Sequence, residues 1–185
     1  MYRTSYLFLI AAFAAAGAQA QEAQPPAGIM SAAQKSAVIK SALAAAPQNI
    51  AANATVMAPG PDGKMVTLRE GTNGFTCFPD DRIHSGAMCA DAEGMKWAQS
   101  LMSHADKPAN TAPGLIYMLA GGTDVSATDP WAKPGSGRGI VSGPHYMVMW
   151  PFDASSGLPT TPKKTGTWIM WSGTPYAHLM VNGVP

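Results

Sequence analysis

Glycine and proline cut this chain into short pieces, and that limits what it can become. With 19 Gly and 16 Pro among 185 residues, most pieces are the length of an ordinary strand, about 5–6 residues. Two pieces carry helical periodicity instead. Ser31 and Gln34 form a capping box, in which each side chain satisfies a free amide of the other. Val38, Ile39, Ala42, Leu43 and Ala46 follow at helical spacing, and Pro47 stops the run. This predicts a helix over 31–46. A second helix opens at Asp91, with Glu93 complementing the dipole of its first turn. Met95, Ala98, Leu101, Met102 and Ala105 make its apolar stripe, and Pro108 ends it.

The remaining pieces read as strands. They are Ala54–Met57, Met65–Arg69, Phe75–Cys77, Leu115–Leu119, His145–Trp150, Thr167–Trp171 and Tyr176–Val181. Pro59–Gly63 and Gly71–Gly74 turn between the first three, which are expected to pair antiparallel in succession. Trp168 and Trp171 are expected on opposite faces of their strand, leaving at least one exposed. The stretch from Gly121 to Gly143 is rich in Gly, Ser, Asp and Pro, and a loop of that length is usually functional or disordered. The expected class is α+β: an antiparallel sheet of about six or seven strands with two helices packed on it.

The beginning of the chain reads differently. Arg3 precedes a near-continuous apolar run from Tyr6 to Ala16, and Ala18-Gln19-Ala20 is a small-x-small cleavage site. That is the anatomy of a secretory signal peptide, too short to span a bilayer. The expected organisation is a signal peptide over 1–20, a flexible leader over 21–30 and a single domain over 31–185, acting in the periplasm or as a secreted protein. Export makes the only two cysteines, Cys77 and Cys89, a disulfide pair, since the spacing fits no Cys-x-x-Cys redox motif.

Without the leader's single charge, Arg3, the 12 basic residues fall to 11 and match the 11 acidic ones. No basic stripe runs along the chain, which argues against nucleic-acid binding. No later apolar run is long enough to cross a membrane.

Several short motifs recur together. Gly71–Cys77 is followed by Pro79-Asp80 and then Met88-Cys89. Gly121–Asp124 is followed by Thr128–Pro130, Gly143–His145 and Trp171–His178. Together they resemble a family of exported bacterial proteins with no assigned activity. The likeness spans residues 50–182. It implies export and a single domain, and it implies no reaction, ligand or cofactor.

The candidate chemistry is sparse. His145-x-Met147 and His178-x-Met180 repeat one spacing on two strands, and period-two alternation puts each His and its Met on one face. Adjoining strands would gather two imidazoles and two thioethers, a donor set that suits copper, especially Cu(I). The same spacing suits packing, because methionine fills irregular gaps in cores. Asp80, Asp81, Asp124 and Asp129 are the carboxylates that, with His84, His145 or His178, would make an acid/base constellation; a hydrolase would use His145 or His178 with Asp80, Asp81 or Asp129. Turn chemistry is the plainer role for such aspartates. No Gly-x-Ser-x-Gly elbow is present, and Gly135–Gly139 matches no phosphate-binding fingerprint, although Arg138 within it suits pairing with an anionic ligand. Trp131, Trp150, Trp168, Trp171 and Tyr176, crowded into the C-terminal half, and the Gly-rich loop favour a module that binds a small molecule or a protein partner. A periplasmic hydrolase and a copper-binding protein are the alternatives.

Overall fold

The computed structural model describes residues 30–80, 86–133, 136, 139–152 and 154–184. The expected signal peptide, all but the last residue of the 21–30 leader, Asp81, His84 and Arg138 lie outside them.

The capping box at Ser31 forms, and the first helix, α1, runs Ala32–Leu43. It stops short of Pro47, which instead opens a single-turn helix, α2 (Gln48–Ala51). Arg69 holds the end of that turn: its guanidinium donates to the carbonyls of Ala51 at 2.6 Å and Ala54 at 3.1 Å. Strands β1 (Thr55–Pro59) and β2 (Met65–Arg69) form the expected antiparallel hairpin.

The third strand, β3 (Thr76–Phe78), departs from expectation. It pairs with β1 in parallel, on the side away from β2. Gly71–Gly74 is therefore no hairpin turn but a crossing beneath the start of β1. The Thr72 amide bonds the Asn53 carbonyl at 2.8 Å, and the Thr55 amide bonds the Phe75 carbonyl at 2.9 Å. Gly71 makes the crossing feasible, since a Cβ there would lie 2.1 Å from the Thr55 nitrogen.

The chain continues through β4 (Met88–Ala90), α3 (Ala92–Met102) and β5 (Gly114–Met118). A small ribbon follows, β6 (Gly122–Asp124) with β7 (Ile140–Ser142), and then β8 (His145–Met149), β9 (Gly166–Met170) and β10 (His178–Asn182). Eight strands make one sheet in the order β2-β1-β3-β4-β5-β8-β10-β9, antiparallel except for β1–β3. The α+β class is as expected. The sheet exceeds six or seven strands because β4 is only three residues long, too short to show periodicity. The helices number three rather than two among the described residues because α2 is a single turn.

Helices α1 and α3 cover opposite faces. Val56, Ala58, Cys77 and Cys89 pack with Val38 and Ala42 of α1. Their neighbours along the strands point the other way. On that second face Ala90, Ile116, Met118, Met147, Met149, Trp168 and Met170 pack with Trp97 and Ala98 of α3. The cysteines sit directly opposite one another on β3 and β4 and are joined as a disulfide, with Cα atoms 4.0 Å apart. Trp168 and Trp171 do not split between buried and exposed: both are buried. Strand β9 ends at Met170, and Trp171 turns into the left-handed region with φ 55°. That turn swings its indole back over the face Trp168 already occupies. No helix among the described residues is long and apolar enough to cross a membrane.

Candidate functional site

The sheet face beneath α3 is built from alternation. Strands β8 and β10 each bury every second residue, His145, Met147 and Met149 on one, His178, Met180 and Asn182 on the other. The two strands are antiparallel neighbours, with Met180 opposite Met147 and Asn182 opposite His145. Directly opposed side chains share a face, so both histidines and both His-x-Met methionines lie on one side of the sheet. The two rings stand toward opposite ends of that row, with the Met147–Met180 pair between them.

Each ring is fixed in the same way. Nδ1 of His145 meets the Gly143 carbonyl at 2.8 Å, and Nδ1 of His178 meets the Tyr176 carbonyl at 3.0 Å. A carbonyl accepts only, so Nδ1 carries the proton and donates, and Nε2 keeps a lone pair. Both Nε2 atoms are buried without a protein partner, as are Ser142 Oγ, Trp168 Nε1 and Asn182 Oδ1. Burial disfavours the imidazolium and lowers both pKa values. For His178 it outweighs the opposing carbonyl bond, and with a small contribution from His145 the value falls to about 4.

Above this face lies a cavity of about 580 Å³. Its floor is the sheet, from Met57 and Phe78 through Met88, Ile116 and Met118 to Met147, Met149 and Met170. Its roof is α3, through Met95, Trp97, Ala98, Leu101 and Met102, and a third wall is the Asp124–Ala132 segment. Nine of the chain's twelve methionines line it.

An aromatic cluster closes the His178 end. Trp97 and Trp171 stack with centroids 5.9 Å apart, and the His178 ring stands edge-on to both, at 5.1 and 5.0 Å. Trp171 also ties down the third wall. Its indole N–H donates to the Ser126 carbonyl at 2.9 Å, and its amide donates to the Ala127 carbonyl at 2.8 Å. Trp131 packs on Tyr176 and His104, and its indole N–H donates to the Leu101 carbonyl at 3.1 Å.

The described acidic candidates do not pair with either ring. Asp129 lines the cavity, and its carboxylate accepts the Trp131 amide at 2.9 Å, the turn role. Asp80 is exposed just past β3, and Asp81 lies outside the described residues. Among the described residues neither imidazole is bonded to a carboxylate. Nor do three His, Cys, Asp or Glu side chains gather into a group that could hold a metal.

Residues passed over in the sequence line the cavity as well. Met149 continues the alternation that starts at His145 and was legible from it. Met170 and Trp97 required the strand order and the helix placement. Asp124, by contrast, is among the acidic candidates; half-buried on β6, it lines the cavity with its pKa pushed up to about 6 by burial. Comparison with protein-family models, curated proteins and solved structures found no match.

Proposed function

We propose that this chain is a non-catalytic binding module that takes a small, largely apolar molecule into the methionine-lined cavity. One observation carries the reading: nine methionines, with aromatic and aliphatic neighbours, converge on a single space of about 580 Å³, within the usual range of small-molecule sites. Thioether side chains are flexible and polarizable, so such a wall adapts to ligands of differing shape. Asp124 and His178 are among the polar groups on its wall that can orient an occupant. The Gly121–Gly143 loop serves as one wall of the site through Asp124–Ala132 rather than as the whole of it. A concave, walled site favours a small molecule over a protein partner. Action outside the cytoplasm, after removal of the leader, accords with the disulfide. The hydrolase reading draws no support from ring geometry, because among the described residues neither histidine has a carboxylate to orient it.

Titration with an uncharged solvatochromic dye, Nile red, tests this. Saturable binding should blue-shift the dye and quench Trp97 and Trp171. Ala98 lines the cavity from α3, so Ala98→Leu should weaken binding while the circular dichroism spectrum is unchanged. Absence of saturable binding, or equal binding by Ala98→Leu and the parent, would overturn the proposal.

A further inference from the structure

His178 stands between methionines on both flanking strands. It pairs with Met170 of β9. On its other side Leu179 is opposite Val148, and one further step of the same antiparallel register sets His178 opposite Met149. Side chains opposed in this way share a face. His178, Met149 and Met170 are each 1 % exposed. All three also line the cavity, which gives a small ion a route from solvent.

The donor set has a definite chemistry. The Nδ1–H bond to the Tyr176 carbonyl fixes the tautomer, and Nε2 is left with its lone pair and no protein partner. That is the arrangement in which imidazole binds a metal, with the other nitrogen anchored by a carbonyl. Among the described residues no carboxylate is bonded to the ring, and both cysteines are committed to the disulfide. Hard cations such as Mg²⁺ and Ca²⁺ want oxygen ligands, whereas one imidazole among thioethers suits a soft ion. An uncharged set buried in an apolar wall also favours a single positive charge over two. The indoles of Trp97 and Trp171 beside the ring exclude water and offer electron-rich faces to a cation.

We propose that His178 Nε2 and the thioethers of Met149 and Met170 form a binding site for a soft monovalent cation, Cu(I) foremost. This site differs from a ligand set made of the two His-x-Met pairs: His145 stands at the far end of the row, opposite Asn182, and is not part of it. The inference rests on register and tautomer, and it stands whether or not an apolar molecule also enters the cavity.

The experiment is an anaerobic titration of the disulfide-intact chain with Cu(I) against a colorimetric Cu(I) chelator. Ag(I) serves as the redox-inert counterpart. One equivalent should bind and quench the tryptophan fluorescence, and Zn²⁺ should not compete. Changes in partners that merely orient a ligand already cost about 10–100-fold in metal affinity. The volume-conserving double variant Met149→Leu/Met170→Leu should therefore lose at least about tenfold. Failure to bind either ion, equal binding by the double variant, or competition by Zn²⁺ would overturn the proposal. The ¹⁵N spectrum of histidine-labelled parent protein needs no variant. Addition of Ag(I) should shift the Nε2 resonance of His178, and an unmoved resonance would refute the assignment.

Discussion

Gly94 of α3 and Gly114 of β5 meet backbone to backbone. A Cβ at Gly114 would lie 2.3 Å from the Gly94 nitrogen, and one at Gly94 would lie 2.7 Å from the Leu115 carbonyl oxygen. The Asp91 cap, which accepts the Gly94 amide at 2.7 Å, sits at the same point. Together these clamp the start of α3 onto the sheet and set the height of the cavity roof. A methyl group at Gly114 has only backbone to push against, so the helix must lift. Gly114→Ala should destabilise the fold by about 3 kcal/mol, the upper end of ordinary overpacking. At Gly143 a Cβ meets nothing within 4 Å, and Gly143→Ala should be neutral by urea denaturation. Equal midpoints for the two variants would contradict the clamp.

Free-thiol labelling of the native, unreduced chain should find nothing, since Cys77 and Cys89 are paired. Replacing both by Ala should cost about 3 kcal/mol, the chain-entropy value for a loop of this size. The disulfide faces α1, on the opposite side of the sheet from the cavity. Dye and Cu(I) binding by the folded double variant should therefore match the parent.

Binding in the cavity should depend on pH through Asp124. Its folded pKa is raised to about 6 by burial, against roughly 4 for an unperturbed aspartate. Between these values the folded chain keeps a proton that the unfolded chain has lost. The resulting stabilisation is complete below the unfolded pKa and is lost as pH rises through about 6. An apolar occupant removes more water and favours the neutral acid further, so dye affinity should fall as pH rises through this window. His178, with its pKa near 4, stays neutral through most of it. Asp124→Asn should flatten the step in a titration from pH 5 to pH 8. A step that persists in this variant belongs to another group.

Trp171→Phe keeps an aromatic ring in the stack but removes the donor to the Ser126 carbonyl. Losing that bond should cost about 1–2 kcal/mol. The amides of Thr128 and Asp129, both bonded to Ser126 Oγ, should then exchange faster with solvent. Amides of β8 should be unaffected. Uniform acceleration across the chain would mean that Trp171 holds the core rather than the wall.

What could be read from the chain was local. The Ser31 and Asp91 caps are stated by side chains within three residues, and both form. The shared face of His145 and His178 followed from period two once β8 and β10 adjoined. The sense of β3 was not legible, because Gly71–Gly74 has the composition of a turn whether the chain reverses or crosses beneath a strand. The ribbon β6–β7 was read as loop because its two strands, three residues each, carry no usable periodicity. Trp171 was misplaced because period two stops when a residue leaves the strand, and its φ of 55° is set by tertiary packing. The cavity was invisible for a related reason. Its methionines come from β1, β2, β4, α3, β5, β8 and β9, and only the strand order brings them together.

A wall of sulfur also sets how the domain would fail under oxidants. Oxidation turns an apolar, pliable thioether into a polar sulfoxide. Met102 and Met65 are exposed at 55 % and 42 % and would convert first, at the rim, with little consequence for packing. Met149 and Met170 are 1 % exposed and line the interior space. Oxidative damage would thus advance from the mouth inward, altering the cavity wall before it unfolds the chain, while the cystine on the other side of the sheet, already oxidised, has no thiol left to lose.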